Sequence, residues 1–292
     1  MFEKLYGLSC IENHTLCLLR EHGLDIRPLY RDCAVPMKEL FIYFCKNNIR
    51  PEFFDLIPRV QDLARKYEII VMERHSVEFQ EAMKIIRNMD FSKNEIVLAR
   101  IKKEFTKDRL HARGLRDNHY ARVWISVDTI EILNDIPEFK CVLTQEEFAT
   151  AYDDDLFKMH VNHKIDKANA ESLYQNRLFK AEESIPFCIN LLNIEDVFQD
   201  ITQPKDIGIY LRNLTGVYKI LRYRMAEYYG QYTDTSFIRE RMPEVEKCYS
   251  IFEYYNLKSN ISNMQYFEVF NKLNQLENEI INELKKSLSR LS

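Results

Sequence analysis

Cys10 stands at the start of a segment, 10–22, whose residues predict a helix. Ser9 can cap the helix N-terminus, Glu12 lies in the first turn, and Gly23 follows the last turn. The N-terminus of a helix carries the positive end of the helix dipole, which stabilises a thiolate relative to a thiol. Cys10 is therefore a candidate nucleophile.

Two strand-like runs can supply partners for this cysteine. HYARVWIS (119–126) and TIEILNDI (129–136) carry β-branched and aromatic residues and are separated by a short turn. Antiparallel pairing would bring the start of the first run beside the end of the second, so we expect His119 and Asp135 to be neighbours. A carboxylate that binds one imidazole nitrogen fixes the tautomer and leaves the other nitrogen to exchange a proton with Cys10. The sequence thus predicts a Cys–His–Asp triad.

The surrounding elements indicate an α+β class for the first part of the chain. Apolar periodicity predicts helices near 36–47, 51–66 and 77–88, and strands at 68–73 and 95–101, besides the two runs above. We expect one antiparallel sheet with an N-terminal helix that carries the cysteine. Thr144 and Glu147 form a capping-box pattern that predicts a further short helix.

The strand pattern fades from about residue 165 onward. The stretches 207–229 and 263–290 have apolar residues at helical spacing, so we predict an α+β domain at 1–164 and an all-α domain at 165–292. The apolar stripe of 263–290 is typical of a terminal helix packed on its own domain, and coiled-coil formation in a homodimer is the alternative.

Composition narrows the classes of protein. Of the 292 residues, 46% are hydrophobic and 29% charged, and the formal charge of −4 gives no signature of nucleic-acid binding. The seven cysteines never form a CxxC motif, which argues against a disulfide framework and a zinc site and for a reducing compartment. No signal peptide and no apolar run of about 18 residues is evident, so we expect a cytoplasmic protein without a membrane span.

The order of these features resembles that of papain-like cysteine peptidases of the bacteriocin-leader-processing type. It is more similar still to the N-terminal region of the butirosin-biosynthesis acyltransferase family. The segments that carry the resemblance are SCIENHTLCLLREHGLDI (9–26), the His-Tyr pair that opens the strand at 119, and DIPEFKCVLTQEEFATAY (135–152). The resemblance covers about residues 1–160 and implies a papain-like domain.

The resemblance also implies an activity. Cys10 would be the nucleophile, His119 the general base and acid, and Asp135 the orienting acid. The acyl group would pass from the thioester of an acyl or peptidyl carrier protein, on a phosphopantetheine arm, to a small-molecule amine in natural-product biosynthesis of the peptide or aminoglycoside type. The chemistry requires no metal or redox cofactor. Alternatives are a peptidase, amidohydrolase or thioesterase with the same triad, and an inactive papain-like binding or scaffold module.

Two departures from the family pattern affect neighbouring residues. The peptidases carry a glutamine shortly before the cysteine that helps to form the oxyanion hole, and MFEKLYGLS contains none. The hole would then use the backbone N–H of Cys10 and another donor, for which Asn13 is a candidate. Isoleucine separates Asp135 from the following proline, so Asn134 is an alternative orienting residue.

Basic residues are concentrated on the N-terminal side of His119. They predict either a solvated loop or a docking surface for an acidic carrier protein and its phosphate-bearing arm. The candidates are Lys102, Lys103, Lys107, Arg109, Arg113 and Arg116.

Three other features have simpler interpretations. His14 lies one turn after Cys10 and is more typical of a packing neighbour than of a second catalytic histidine. The acidic run at 152–155 lacks the interleaved ligands of a calcium loop and is interpreted as a solvated turn. His160 and His163 have no third ligand nearby, so no metal site is predicted.

Overall fold

The structure, a computed structural model, describes residues 2, 5–47, 49–51, 54–90, 95–105, 118–135, 138–162, 207–258 and 261–290. The chain divides into two compact units. The first comprises Met1–Ile26 and Arg59–Arg177, and the second comprises Arg27–Pro58 and Leu178–Ser292. Residues 27–58, assigned to the first domain from the sequence, thus group with the second unit, and the predicted boundary after 164 lies outside the described residues.

The elements run in the following order along the chain: α1 (Cys10–Glu21), a 3₁₀-helix (Arg27–Cys33), α2 (Met37–Phe41) continued by a π-helical turn (Ile42–Lys46), α3 (Val60–Lys66), β1 (Ile70–His75), α4 (Phe79–Arg87), β2 (Ile96–Ile101), β3 (His119–Ser126), β4 (Thr129–Asn134), β5 (Phe139–Leu143), α5 (Gln145–Ala151), β6 (Tyr152–Val161), α6 (Ile207–Tyr229), α7 (Ser236–Asn256) and α8 (Asn263–Leu288). The predicted α+β class and the helical C-terminal region are confirmed.

The six strands of the first unit form one sheet in the order β1-β6-β2-β3-β4-β5, and each neighbouring pair is antiparallel. The register pairs Ile101 with His119 and Arg122 with Leu133. Since β3 and β4 are joined by a tight turn, the start of β3 and the end of β4 lie side by side at the same end of the strands. This end is where the predicted His119 and Asp135 lie.

The interpretation of 152–155 as a solvated turn is wrong, because these residues begin β6 between β1 and β2. Asp155 is buried and accepts hydrogen bonds from Arg74 on β1, at 2.7 and 3.1 Å. Arg100 on β2 forms an ion pair with Asp153 at 2.5 Å. Arginines of the neighbouring strands therefore compensate the carboxylates that suggested a turn.

Alternation along β3 separates the two faces of the sheet. Ala121 and Val123 are buried in the core that includes Ala82, Met83 and Ile86 of α4. Arg122 lies between them in sequence and forms an ion pair with Glu21, the last residue of α1. Because neighbouring residues of a strand point to opposite faces, α1 packs on the face opposite to α4.

Of two helix starts predicted from the sequence, one is confirmed and one lies later in the chain than predicted. The capping box of Thr144 and Glu147 is present at the start of α5. The helix predicted at 51–66 instead begins only at Val60. Pro58 explains the late start, since proline has no N–H to donate and disfavours helical geometry in the preceding residue.

In the second unit the helices α6, α7 and α8 bury an apolar core. The stripe of α8 is buried at Phe270, Leu273, Ile280 and Leu284, and the homodimer alternative stays a prediction. Arg222 is also fully buried and binds Glu277 through its Nε at 2.8 Å. Within the described residues, no helix combines the length and apolarity that a membrane crossing requires.

Candidate active site

Cys10 is the first residue of α1, and its position depends on a well-bonded cap. Ser9 is extended and its Oγ accepts a hydrogen bond from the Glu12 amide at 3.2 Å. The buried carboxylate of Glu12 accepts from the amide of Leu8 at 2.5 Å and from that of Val60 at 3.0 Å. These bonds hold the segment before the helix, so the half-buried thiol of Cys10 lies at the helix N-terminus.

The structure brings His119 and Asp135 to Cys10. Asp135 follows the last residue of β4, and its Oδ1 accepts a hydrogen bond from Nε2 of His119 at 2.7 Å. The imidazole also forms a hydrogen bond with Cys10. Since Nε2 is used by Asp135, Nδ1 is the nitrogen left for the sulfur. The three predicted residues therefore meet in the order thiol, imidazole and carboxylate.

The electrostatics of the pair favour a charged imidazole. Burial lowers the pKa of His119, but the hydrogen bonds to Asp135 and Cys10 and the charges of both groups outweigh burial and raise that pKa to about 10. Burial raises the pKa of Asp135, whereas bonding to His119 and Asn13 and the charge of His119 hold it below the ordinary value. At neutral pH Asp135 is thus a carboxylate and His119 an imidazolium, so a positive charge lies beside the sulfur of Cys10.

Asn13 is directed at the triad and not at an oxyanion hole. Its Nδ2 donates to Oδ2 of Asp135 at 2.7 Å, and its Oδ1 accepts from the amide of Gly7 at 2.9 Å. The side chain is buried. The role of oxyanion donor considered for Asn13 therefore has no support in these contacts, and the sequence pattern contained no signal for the bond to Asp135.

Asn134 is the last residue of β4 and is buried, with its backbone paired to Phe139. His119 donates its hydrogen bond to Asp135, so Asp135 and not Asn134 occupies the orienting position.

His14 is close to the triad but does not bind the thiol. Its ring is 1% exposed and packs edge-on against Phe2 at a centroid distance of 5.0 Å. One nitrogen has a hydrogen bond with the backbone of Tyr120, while Nε2 has no hydrogen-bond partner among the described residues. Burial lowers the pKa of His14 to about 4, so the ring is neutral at neutral pH.

Residues flanking His119 hold the start of β3. Tyr120 donates its hydroxyl proton to Oδ2 of Asp155 at 2.6 Å. Asn118 donates to Oδ2 of Asp153 at 2.5 Å and accepts from the amide of Lys103 at 3.1 Å. These bonds fix the backbone on both sides of the imidazole. No pattern in the sequence indicates the bonds to Asp153 and Asp155, because these acceptors lie on β6, which the sequence does not predict as a strand.

Only two of the predicted docking residues can be located. Lys102 and Lys103 directly follow Ile101, the register partner of His119, and Lys102 donates from Nζ to the carbonyl of Thr150 at 3.1 Å. Both are half-buried. The other four, Lys107, Arg109, Arg113 and Arg116, lie outside the described residues.

Cys17, Cys33 and Cys45 are buried and are poorer candidates for a nucleophile than Cys10. Burial raises the pKa of Cys17 and of Cys33 to about 12, and burial raises that of Cys45 further. The part of the chain that the structure describes contains no cluster of three or more His, Cys, Asp or Glu that could hold a metal ion.

The comparisons with protein-family models and with curated proteins found no match to this chain.

Proposed function

We propose that the chain is a cysteine-dependent acyltransferase that moves an acyl group from a thioester to an amine. The observation that carries the proposal is the hydrogen-bonded series Cys10–His119–Asp135 at the N-terminus of α1. This series is the arrangement that nucleophilic catalysis by a thiolate requires.

In the first half-reaction the sulfur of Cys10 attacks the carbonyl carbon of the thioester. The developing oxyanion is stabilised by the backbone N–H of Cys10, which at the first helical position has no acceptor within the helix. The C–S bond to the donor then breaks and the leaving thiolate takes the proton of the His119 imidazolium. The products are an acyl-Cys10 thioester, a free donor thiol and a neutral imidazole.

In the second half-reaction the amine attacks the acyl-Cys10 carbonyl. Neutral His119 takes the proton that the amine loses, and the C–S bond to Cys10 breaks. The amide leaves, and the thiolate and imidazolium are regenerated. Asp135 keeps its hydrogen bond to Nε2 throughout, so Nδ1 remains directed at the reacting groups.

Two further considerations support transfer from a thioester in a papain-like domain. The sequence resembles the N-terminal region of the butirosin-biosynthesis acyltransferase family over about residues 1–160, including the positions of Cys10 and His119. A thioester is already activated, so a hole with few donors suffices. Hydrolysis of a peptide or an amide by the same residues would need stronger stabilisation of the oxyanion.

The decisive experiment is intact-mass analysis after incubation with acyl thioesters of N-acetylcysteamine, a small analogue of the phosphopantetheine arm. We expect an added acyl mass on Cys10 in the wild type. The variant Cys10→Ala should carry none. Cys141→Ala is the matched control, because Cys141 is also half-buried but lies on β5, and it should acquire the adduct normally.

Release of the adduct separates the remaining alternatives. Release that requires an added amine supports transfer, whereas equal release in buffer alone indicates a thioesterase or hydrolase. If no thioester acylates Cys10 and iodoacetamide alkylates it no faster than free cysteine, the proposal is overturned in favour of an inactive binding module.

If the acyl donor is a carrier protein, the basic residues beside His119 should affect the rate at which Cys10 is acylated. We expect the double variant Lys102→Glu/Lys103→Glu to acylate more slowly from an acidic acylated carrier protein and at the wild-type rate from the small thioester. Lys84→Glu, at an exposed position of α4 in the same unit, is the control and should leave both rates unchanged. Equal rates from the carrier in all variants would contradict docking at Lys102 and Lys103.

A further inference from the structure

We propose that Asn13 is a positioning residue which, together with Gly7, fixes the orientation of the Asp135 carboxylate and requires an ionised acid at that position. The inference deepens the proposed function and rests on it for its catalytic meaning. Its physical content, the reactivity of Cys10, can be measured without any acyl substrate.

Asp135 has donors on both of its carboxylate oxygens. His119 donates to Oδ1 and Asn13 donates to Oδ2, each at 2.7 Å. With both oxygens engaged, rotation of the carboxylate would break one or both bonds. The carboxylate is buried, so broken bonds could not be replaced cheaply by water.

Gly7 determines which end of the Asn13 amide faces Asp135. The Gly7 amide is a donor, so the atom that receives its bond, 2.9 Å away, must be the oxygen of Asn13. The nitrogen of Asn13 is then left to donate to Asp135. The amide therefore cannot be flipped without placing two donors together at one end and two acceptors at the other.

The same helix turn carries the nucleophile and this anchor. Asn13 is three residues after Cys10, so the two side chains lie on neighbouring positions of one helix face. Any movement of α1 moves the thiol and the support of Asp135 together. The geometry of the sulfur relative to the imidazole is thus preserved through a second route besides the direct bond to His119.

Both donors together explain why a carboxylate is needed. An asparagine at position 135 would present its NH₂ either to Nε2–H of His119 or to Nδ2 of Asn13, and each choice opposes two donors. Exchanging the two groups removes the conflict. A carboxylate at position 13 can accept from Gly7 and from an amide at 135, whose oxygen then accepts from His119.

The charged and titratable groups around Asp135 define its pH response. His119 on β3 bonds to it directly, His14 on α1 interacts with it through its charge when protonated, and Cys10 lies on the other side of the imidazole. Loss of the Asn13 bond should raise the pKa of Asp135. In an Asn13→Ala variant, protonation of Asp135 then reduces Cys10 reactivity at a higher pH than in the wild type.

The test measures the rate of Cys10 alkylation by iodoacetamide as a function of pH in the full chain. For Asn13→Ala we expect the acid limb to move up by about one pH unit, which is about a tenfold loss of rate on that limb. Asp135→Asn should lose about a hundredfold or more at neutral pH. The exchange Asn13→Asp/Asp135→Asn should recover at least about tenfold of that loss.

Thr15→Val is the matched control, because Thr15 is buried on the same helix and its hydroxyl bonds to the carbonyl of Ile11. It should leave the pH profile unchanged. Circular dichroism establishes that each variant is folded. An unmoved acid limb in folded Asn13→Ala, or an exchange variant no more reactive than Asp135→Asn, would overturn the inference. A moved limb and a recovered rate without any acylation by thioesters would support the inference and refute the proposed function.

Discussion

Gly7 and Asn13 approach each other so closely that no side chain fits at position 7. A Cβ on Gly7 would lie 2.1 Å from Oδ1 of Asn13 and 2.8 Å from its backbone nitrogen. This contact links the segment before Cys10 to the residue that donates a hydrogen bond to Asp135.

Gly7→Ala should therefore weaken the hydrogen bond between Asn13 and Asp135, although Gly7 is not itself one of the three residues Cys10, His119 and Asp135. The added methyl group must displace Asn13 from Asp135, and we expect a loss of about 2 kcal/mol in the free energy of unfolding together with slower alkylation of Cys10. Urea denaturation and iodoacetamide kinetics measure the two effects. Gly216→Ala is the control. Gly216 lies on α6 in the second unit, where an added Cβ would lie 3.3 Å from the ring of Tyr249 on α7, and the variant should leave alkylation unchanged. Unchanged alkylation in Gly7→Ala would show that the contact does not matter to the triad.

His14 should make the fold sensitive to mild acid. Its pKa is lowered from 6.5 to about 4 in the folded state, so the unfolded chain binds more protons between these values. The contribution of neutral His14 is fully present above pH 6.5 and is lost as the pH falls toward 4, by about 3 kcal/mol in total. Urea denaturation at a series of pH values measures the slope. We expect His14→Asn, which keeps a donor for the Tyr120 backbone, to have a flatter slope in this window; an equal slope would contradict the assignment.

Much of the site could be predicted because its signals are local. Ser9 and Glu12 mark the start of α1, and the β-branched runs mark β3 and β4, whose pairing brings His119 near Asp135. The role of Asn13 could not be predicted, because it depends on a bond between residues 122 positions apart.

Other parts of the fold are hidden from the sequence for a related reason. The carboxylates of β6 are typical of a turn until Arg74 and Arg100 are placed beside them by the sheet. Likewise, no local pattern reveals that 27–58 groups with the helices that begin at Ile207, since apolar helices have no intrinsic preference for one partner over another.

Asp155 should contribute to stability through its arginine and tyrosine partners. Asp155→Asn removes the charge that Arg74 and Tyr120 bind, and we expect a loss of about 2 kcal/mol in the free energy of unfolding. Asp154→Asn is the control from the same run. Asp154 is exposed and has a positive φ of 46°, which asparagine adopts readily, so its unfolding curve should match the wild type. Equal stability of the Asp155 and Asp154 variants would show that the network contributes little.

The helical unit should depend on the charge of Glu277. Arg222 is 0% exposed, so Glu277→Gln leaves a buried guanidinium without its counter-charge and should cost about 3 kcal/mol, measured by urea denaturation. Glu279 lies on the same helix as Glu277 and forms an ion pair with Arg241 of α7 at the surface. Glu279→Gln should therefore leave the free energy of unfolding almost unchanged. A Glu277→Gln variant as stable as the Glu279→Gln variant would contradict this account of the buried pair.

The division of the chain has a consequence for its synthesis. The first unit is interrupted after Ile26 by Arg27–Pro58, whose partners in the second unit come from Leu178 onward and are therefore made much later than this segment. This segment contributes four apolar side chains that are buried in the folded protein: Leu29, Leu40, Phe41 and Phe44. They stay exposed during synthesis until the helices that begin at Ile207 have been made. During that interval the nascent chain presents an unpaired apolar segment between the cysteine helix and the sheet that completes the triad, and it is at this stage that binding by a chaperone would protect the chain from aggregation.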